Sequence, residues 1–437
     1  MTWVTRRFLY ILGGIVVLLA CSPGLPALIP ASEVLGALLA AALVADALMG
    51  PRRSELHVAR VPIAHLALRR VAEFRYTIEN RSRRAVSLTV AEDPTRTLRF
   101  TTGEAAGDVP ARSEATISWS AVPIARGEDK VRTLYVCYEN VLGLLQRRMK
   151  VDAPEAFRVF PDLSAVERYG SLHVRNRLIE AGLRKMRLRG SGTEFESLRE
   201  FSDGDPFRSI DWKATARRGK VMVAQYEVER SQNVMLVLDC GRLMTPRIGD
   251  QRKLDYAVTA ALSLATIAGL ASDRVGVVAF AGKILAASAP RSTRSSIAKL
   301  TELLYDLEPR FEEANYARAF AYLRAHLHKR SLVVFLTDVI DPVSQGTVFA
   351  ELGSLAHRHL VLCVFMNDAA VVRALAVPPH DETSAYRAGV ALDLLDERKT
   401  AAAMLTRIGA LVLDVPAAKL STALIDEYLR VKQRGLL

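Results

Sequence analysis

Five short apolar runs in the second half of the chain constrain its fold more than any other feature. They are NVMLVLD (233–239), RVGVVAFAG (274–282), SLVVFLTD (331–338), HLVLCVFMN (359–367) and ALVLDV (410–415). The first four are continuous apolar runs without alternation, which is typical of strands buried on both faces. Helical patterns separate the runs, so we expect an α/β domain with a mostly parallel sheet covered by helices.

Carboxylates follow two of these runs directly. Asp239 ends the first run, Asp338 ends the third, and Asp341 lies just beyond it. In open α/β sheets, ligands bind beyond the carboxyl ends of the strands, where helix N-termini gather. This edge is therefore the first candidate site.

Two longer apolar stretches lie near the start of the chain. FLYILGGIVVLLACSPGLPALI begins at Phe8, and EVLGALLAAALVADALM ends at Met49. Each is about as long as the roughly 20 residues that a membrane-spanning helix needs. The sequence therefore predicts a transmembrane hairpin within residues 1–53.

The arginines that flank this hairpin predict its orientation. Arg6 and Arg7 precede the first stretch, Arg52 and Arg53 follow the second, and the connection has no Lys or Arg. By the positive-inside rule both ends face the cytoplasm, which predicts a multi-pass protein of the inner (cytoplasmic) membrane with cytoplasmic soluble domains. The alternative is a lipoprotein cleavage site before Cys21, which would export everything downstream.

The remaining chain divides by pattern. Residues 54–161 contain alternating runs such as EFRYTIEN and ATISWSAV, which indicate an antiparallel β-sandwich. Residues 162–230 begin with an arginine-rich stretch that lacks interleaved aromatic residues, so a solvated linker is favoured over a phosphate-binding patch. Residues 231–437 hold the α/β domain. The formal charge of +12 fits an anionic membrane or an acidic partner, and nucleic-acid binding is a weaker alternative.

Two resemblances follow from these residues. The order of elements, with Asp239 closing one strand and Thr337-Asp338 closing another, resembles a von Willebrand factor A domain of the Rossmann-like α/β class. Residues 192–244 resemble the bacterial and archaeal family called domain of unknown function 58, and the layout of nearly the whole chain follows that family. The matching run contains Phe201, Gly204, Asp205, Arg208, Asp211, Trp212, Ala216 and Arg217.

One departure from the resemblance bears on metal binding. Typical von Willebrand A domains follow the first strand with Asp-x-Ser-x-Ser, whose hydroxyls help to hold a divalent cation, whereas this chain has Asp239-Cys240-Gly241-Arg242-Leu243. Both hydroxyls are missing, and Arg242 could neutralise Asp239 and Asp338 by ion pairing. We therefore expect no cofactor, with a degenerate Mg²⁺ site at Asp239 and Asp338 as the alternative.

The segment around GDPFRSIDW admits two interpretations. Its charged residues could form a turn-and-capping motif, or the segment could be a docking surface, since Trp and Arg are typical interface anchors. The candidate partner-binding residues at this segment and at the sheet edge are Asp203, Asp205, Arg208, Asp211, Trp212, Arg217, Arg242 and Asp341.

The sequence contains no Walker A, G-x-S-x-G or H-E-x-x-H motif, so we do not expect a conventional enzyme. The resemblance implies a membrane-anchored scaffold or adaptor acting with a MoxR-type AAA+ ATPase in the assembly or maturation of protein complexes. The alternative is a divalent-metal-dependent hydrolase or nuclease that uses Asp203, Asp205, Asp211, Asp239 and Asp338.

Overall fold

The computed structural model describes residues 2–24, 28–63, 65–93, 95–164, 166, 194–202, 205, 207–227, 231–292, 297–338, 346–376 and 378–436. The chain divides into two compact units, Met1–Phe160 and Pro161–Leu437. Most of the arginine-rich stretch, and the candidate site residues Asp203 and Asp341, lie outside the described residues.

Two helices occupy the predicted hairpin region of the first unit. They are α1 (Arg6–Ala20) and α2 (Leu28–Met49), and they contact each other. Helix α2 is long and apolar enough to cross a membrane and is almost entirely exposed, which is consistent with membrane association. Helix α1 has 15 residues, fewer than predicted, because it ends before Ser22-Pro23-Gly24.

The rest of the first unit consists of two sheets. One has the order β1-β10-β9-β5-β7, with β3 paired to β10, and the other has the order β2-β4-β8-β6. The strands are β1 (Thr2–Val4), β2 (Leu56–Arg60), β3 (Leu66–Ala67), β4 (Ala72–Asn80), β5 (Val86–Glu92), β6 (Leu98–Phe100), β7 (Ala105–Val109), β8 (Ser113–Pro123), β9 (Gly127–Glu139) and β10 (Leu145–Phe160).

Alternation of side chains explains the core of this unit. In β8, Ile117, Trp119 and Ala121 are buried while the residues between them are not. Because successive side chains of a strand point to opposite faces, one face of each sheet supplies the apolar core. Tyr76 and Val136, from opposite sheets, are both fully buried in it.

The second unit begins with a two-stranded hairpin. Strand β11 (Glu194–Glu200) pairs antiparallel with β12 (Met222–Glu227), and helix α3 (Trp212–Arg218) lies between them in the chain. Within the segment that resembles the unknown-function family, the described residues 194–200 and 222–227 therefore form a hairpin.

A six-stranded sheet of order β17-β16-β13-β18-β19-β20 follows. Its strands are β13 (Asn233–Asp239), β16 (Arg274–Phe280), β17 (Ile284–Ser292), β18 (Ser331–Leu336), β19 (Leu360–Asn367) and β20 (Leu411–Pro416), and β14 (Arg247–Ile248) and β15 (Gln251–Arg252) form a separate small hairpin. The helices are α4 (Lys253–Leu270), α5 (Ile297–Leu304), α6 (Tyr316–His326), α7 (Gly346–Arg358), α8 (Ala369–Ala376), α9 (Glu382–Arg407) and α10 (Leu420–Arg434).

Two apolar clusters contain alternate side chains of the central strands. Val234 and Leu236 belong to a cluster with α4 and α10, whereas Met235 and Val237 belong to a cluster with α6 and α7. Helix α4 is also long and apolar enough to cross a membrane, but it is mostly buried in the first cluster. Its apolar character is therefore explained by the core.

The predicted fold class, a von Willebrand A-like, Rossmann-like domain with a mostly parallel sheet, is wrong. Over the described part of the chain as a whole, ten of the fifteen strand pairings are antiparallel; nine of these lie outside the six-stranded sheet, within which four of the five pairings are parallel. The six-stranded sheet is mixed, because β17 returns antiparallel to β16 after a short connection. An apolar run indicates burial on both faces, and this does not fix the direction of the neighbouring strands.

Candidate functional site

The carboxylate of Asp239 lies at the end of β13 and is buried. Its Oδ1 accepts a hydrogen bond from the Gly241 amide at 2.7 Å, and its Oδ2 accepts from the hydroxyls of Tyr316 and Thr337, both at 2.8 Å. Tyr316 begins α6 and Thr337 directly follows β18. Three separate segments therefore converge on one carboxylate.

Burial controls the electrostatics of this group. Loss of water raises the pKa of Asp239 above its ordinary value, whereas the bonds from Gly241, Tyr316 and Thr337 oppose that rise and the charge of Asp338 adds to it. Burial, together with the nearby charge of Asp239, raises the pKa of Tyr316 well above its ordinary value. The Tyr316 hydroxyl therefore remains protonated and available as a donor.

Asp338 is neutralised by two cations from distant parts of the chain. Its Oδ2 accepts from the ammonium of Lys253, the first residue of α4, and its Oδ1 accepts from Arg398 of α9 at 3.1 Å. Arg398 also forms a bidentate pair with Asp414 of β20, at 2.7 and 3.2 Å. Carboxylate and cation charges therefore balance within this cluster.

Arg242 makes a different contact from the predicted one. Its Nη2 donates to Glu313 at 2.9 Å, and both side chains are more than half exposed. The pairing with Asp239 and Asp338 predicted from the sequence is replaced by that of Lys253 and Arg398 with Asp338. The reason is that the 239–243 loop turns Arg242 outward, toward the 310–315 loop.

The 310–315 loop is bonded to the 239–243 loop through backbone groups. The Arg310 amide donates to the Cys240 carbonyl at 2.7 Å, and the Arg242 amide donates to the Glu312 carbonyl at 2.9 Å. The loops approach so closely that a Cβ atom on Gly241 would lie 3.0 Å from the Glu312 oxygen. Between these two bonds lies Phe311, whose side chain is 85% exposed.

These residues do not fit a divalent-cation cage. Both oxygens of Asp239 and both oxygens of Asp338 already accept hydrogen bonds from donors of the same chain. At Asp338 a cation would have to compete with an ammonium and a guanidinium, whose positive charges oppose the binding of Mg²⁺. Within the described ranges, no group of three or more His, Cys, Asp or Glu side chains could hold a metal ion.

Two acidic residues of the hairpin segment serve local structure. Asp205 accepts from Arg199 at 2.7 and 2.5 Å and from the Ser202 amide at 2.9 Å, and the Arg199 guanidinium holds the pKa of Asp205 below its ordinary value. Asp211 caps α3 by accepting from the amides of Lys213 and Ala214. For these two residues the turn-and-capping interpretation fits.

The aromatic residues of the same segment are exposed. Trp212 is 68% exposed and Phe207 is 78% exposed, and Arg217 is also exposed, in the last turn of α3. The backbone of Arg208 lies in the turn Phe207–Ser209, and its side chain lies outside the described part of the chain. For Trp212 and Arg217, exposure favours the docking interpretation.

Four residues of this site were not predicted from the sequence. Lys253, Tyr316 and Arg398 come from helices far along the chain from the carboxylates they contact, and no local pattern links them. The exposure of Phe311 was only weakly indicated by the sequence, because a buried element rarely has an aromatic residue next to two glutamates, here Glu312 and Glu313. The exposed Phe311, the carboxylates Asp239 and Asp338 and their donors together form the candidate site at this edge of the sheet.

The family model described as "Protein of unknown function DUF58" matches residues 197–377, which include the hairpin tip, β13, the 310–315 loop and β18. This confirms the predicted resemblance to that family for this segment.

Two relatives also align with only part of this chain. An uncharacterized protein of Bacillus subtilis, YeaD, is 29% identical over 131 residues, 28% of this chain and 31% of that protein. An uncharacterized protein of Mycobacterium tuberculosis is 25% identical over 181 residues, 41% of this chain and 56% of that protein. The chain thus aligns with about a third to about half of the length of these relatives.

Solved structures match a smaller part of the chain. A PapD-like domain of human CEP192 covers 25% of this chain and 87% of its own, with 9% identity and a TM-score of 0.20. A Caenorhabditis elegans member of the MSP family, WR4, covers 24% of this chain and 97% of its own, with 15% identity and a TM-score of 0.17. We draw no functional conclusion from likenesses of this size.

Proposed function

We propose that this protein is a membrane-anchored scaffold or adaptor of the inner membrane, whose soluble units face the cytoplasm and dock a protein partner. The N-terminal helices α1 and α2 hold it at the bilayer as a hairpin. The partner is a MoxR-type AAA+ ATPase, acting in the assembly or maturation of protein complexes; this part comes from the family resemblance.

The docking proposal depends mainly on Phe311, which is 85% exposed. The nearby carboxylates Asp239 and Asp338 already accept hydrogen bonds from residues of the same chain. The Phe311 backbone is fixed by the neighbouring bonds of Arg310 and Glu312 to the 239–243 loop. A large apolar side chain on a fixed loop loses little conformational entropy when a partner covers it. Such side chains are typical anchors of protein interfaces.

Charges around Phe311 would provide orientation. Glu312 and Glu313 follow it, and the exposed Arg242–Glu313 pair lies beside them. Rim charges of this kind affect association rate and partner choice more than they affect affinity. The exposed Trp212 and Phe207 of the hairpin supply a second apolar contact area.

The hydrolase or nuclease alternative has less support. Metal-dependent hydrolysis requires carboxylate oxygens that can coordinate an ion and activate water. Asp205 and Asp211 are engaged in local bonds, as are Asp239 and Asp338. The charge and hydrogen-bond balance of the edge therefore favours a structural role for these carboxylates.

Binding of the purified, detergent-solubilised chain to a purified MoxR-type ATPase tests the proposal. Titrations with and without ATP would give the dissociation constant for wild type, Phe311→Ala and Trp212→Ala. Loss of an interface anchor typically costs about 2 kcal/mol, so Phe311→Ala should weaken binding by at least roughly tenfold.

Tyr386→Ala is the matched control, because Tyr386 is an exposed aromatic residue on α9, away from both contact areas in the chain. Its dissociation constant should equal that of wild type. If wild type fails to bind in either nucleotide state, the ATPase partnership is wrong. If Phe311→Ala and Tyr386→Ala bind equally, the sheet edge is not the docking surface.

A further inference from the structure

The strongest unexplained feature of the first unit is Asp46, a fully buried carboxylate near the end of the apolar helix α2. Its Oδ1 accepts from the Leu142 amide at 2.7 Å, and its Oδ2 accepts from the amides of Leu144 and Leu145 at 3.1 and 2.9 Å. Three hydrogen bonds from one turn converge on this side chain. The turn between β9 and β10 is therefore held firmly against the end of α2.

The start of α1 is bonded to the same turn. The Thr5 amide donates to the Leu144 carbonyl at 2.9 Å, and the Thr5 hydroxyl donates to the Gly143 carbonyl at 2.6 Å. The backbone of Gly143 has a φ of 66°, which residues other than glycine rarely adopt, so the turn depends on this glycine. Both helices consequently end on one β-turn of the sandwich.

A third set of bonds closes the end of α2. Arg147 of β10 donates to the carbonyls of Ala47 and Pro51 at 2.7 and 2.8 Å, and the Asn140 amide group donates to the Asp46 carbonyl at 2.9 Å. A guanidinium at a helix C-terminus also interacts favourably with the helix dipole. The β-sandwich is therefore fastened directly to the helix ends, with no free linker.

Apolar side chains are exposed around this junction. Val141 and Leu142 at the tip of the turn, and Trp3 and Val4 just before α1, are all exposed, and the Trp3 side chain is 53% exposed. Arg148 stacks over the Trp3 ring, with its guanidinium carbon 5.6 Å from the ring centre. Trp beside Arg is typical of the boundary between bilayer and water.

One carboxylate lies at the junction itself: Glu139 approaches Gly143 from the same side as the Arg7 guanidinium, so a cation lies close to it. Farther along the same sheet, a hydrogen bond from Tyr135 to Asp93 raises the pKa of Tyr135, and Asp152 lies nearby. Carboxylates there oppose contact with anionic lipid headgroups. The lipid-compatible surface is thus confined to the strand ends next to α1 and α2.

We propose that Trp3, Val4, Val141, Leu142 and Arg148 form an interfacial collar that enters the headgroup region of the bilayer. The β-sandwich then lies on the membrane itself as a third contact besides the two helices. The occupant is phospholipid because the collar directly continues the apolar surface of the helices and carries a cation at its outer side. This inference rests on the proposed membrane anchoring.

Tryptophan quenching in vesicles tests the collar. The full chain is reconstituted into phosphatidylcholine and phosphatidylglycerol vesicles whose acyl chains are brominated near the headgroup. The chain has three tryptophans: Trp119 is buried in the sandwich and Trp212 lies in the second unit. Trp3→Phe should therefore remove at least roughly half of the lipid-dependent quenching, whereas Trp212→Phe should leave most of it.

A second variant tests the turn. Leu142→Asp should reduce the quenching of Trp3, because a carboxylate at the tip opposes entry into the headgroup region. Equal quenching of wild type and Trp3→Phe would overturn the collar. Retention of the chain in the membrane pellet after alkaline carbonate washing is measured in parallel, so release of the chain would instead overturn the anchoring, and with it the collar.

Discussion

Asp46 in the first unit and Asp239 in the second are both buried carboxylates that accept three hydrogen bonds, yet their donors differ in kind. Asp46 accepts from three backbone amides of one β-turn. Asp239 accepts from one backbone amide and two side-chain hydroxyls that belong to separate elements. The first arrangement ties one loop to a helix, whereas the second joins a strand end, a helix start and a loop of the mixed sheet.

The difference predicts different sensitivities to mutation. Backbone amides remain after any substitution except to proline, so loss of the Asp46 carboxylate leaves three donors without this acceptor at once. Hydroxyls can be removed one at a time, so the Asp239 site should weaken in steps. Four substitutions test this comparison.

Asp46→Ala should be the most damaging change. An unsatisfied buried donor costs about 1–3 kcal/mol, so the loss of three acceptor contacts should destabilise the first unit by roughly 3–5 kcal/mol. Thermal or denaturant unfolding of the detergent-solubilised chain measures the loss. Glu33→Ala, in the exposed part of the same helix, is the matched control and should change stability little. Equal stability of the two variants would show that the turn does not depend on Asp46.

Arg398→Ala should have the next largest effect. It removes one of the two cations on Asp338 and the bidentate partner of Asp414. The Arg398 side chain is only 12% exposed. Removing one partner of a largely buried pair costs about 2–4 kcal/mol. Denaturant unfolding followed by second-unit fluorescence or circular dichroism measures the change. A loss below about 0.5 kcal/mol would mean that Lys253 alone balances Asp338.

Tyr316→Phe should cost less and should depend on pH. Burial raises the pKa of Asp239 above its unfolded value of 3.8, so the contribution of this group is fully present below that value and is lost as pH rises through the folded pKa. The Tyr316 hydroxyl opposes the rise, and its removal raises the pKa further. The loss should therefore be smallest below pH 3.8 and should grow by about 1–2 kcal/mol as the pH rises through the folded pKa of Asp239. A loss that does not change with pH would contradict this coupling between Tyr316 and Asp239.

Arg242→Ala should have the smallest effect on stability. The Arg242–Glu313 pair is exposed, and exposed ion pairs contribute about 0–1 kcal/mol. Unfolding midpoints of wild type and variant should agree closely at physiological salt. A loss as large as that of Tyr316→Phe would place Arg242 inside the bonded site rather than on its rim.

Much of the element placement was predictable from sequence, while the pairing of elements was not. The run 233–239 is β13 with the predicted bounds, because continuous apolar residues require burial on both faces. Strand β17, ILAASAPRS, was missed because its small and polar residues carry no such signal. The missed strand is also the one that makes the sheet mixed. The apolar pattern was therefore absent from the strand whose direction changes the fold class.

The candidate site was predictable in part for the same reason. Asp239 and Asp338 were predicted at one edge because each ends an apolar run, and the charge of Asp338 does act on Asp239. Their donors were not predictable, because Lys253, Tyr316 and Arg398 approach through tertiary contacts between distant helices. In the first unit, Asp46 accepts from a turn almost 100 residues away, a contact that no local pattern in the sequence indicates.

The 239–243 and 310–315 loops approach closely at Gly241, and this limits which substitutions that position can accept. A serine there would place its Cβ 3.0 Å from both the Glu312 oxygen and the Ala314 Cβ, so the 310–315 backbone would have to move by a few tenths of an ångström. That movement would disturb the bonds that hold Phe311 in place. A serine hydroxyl at position 241 could serve as a metal ligand, but the loop cannot accept it and keep the Phe311 backbone fixed. A single substitution at position 241 therefore cannot add the hydroxyl without weakening the bonds that hold Phe311.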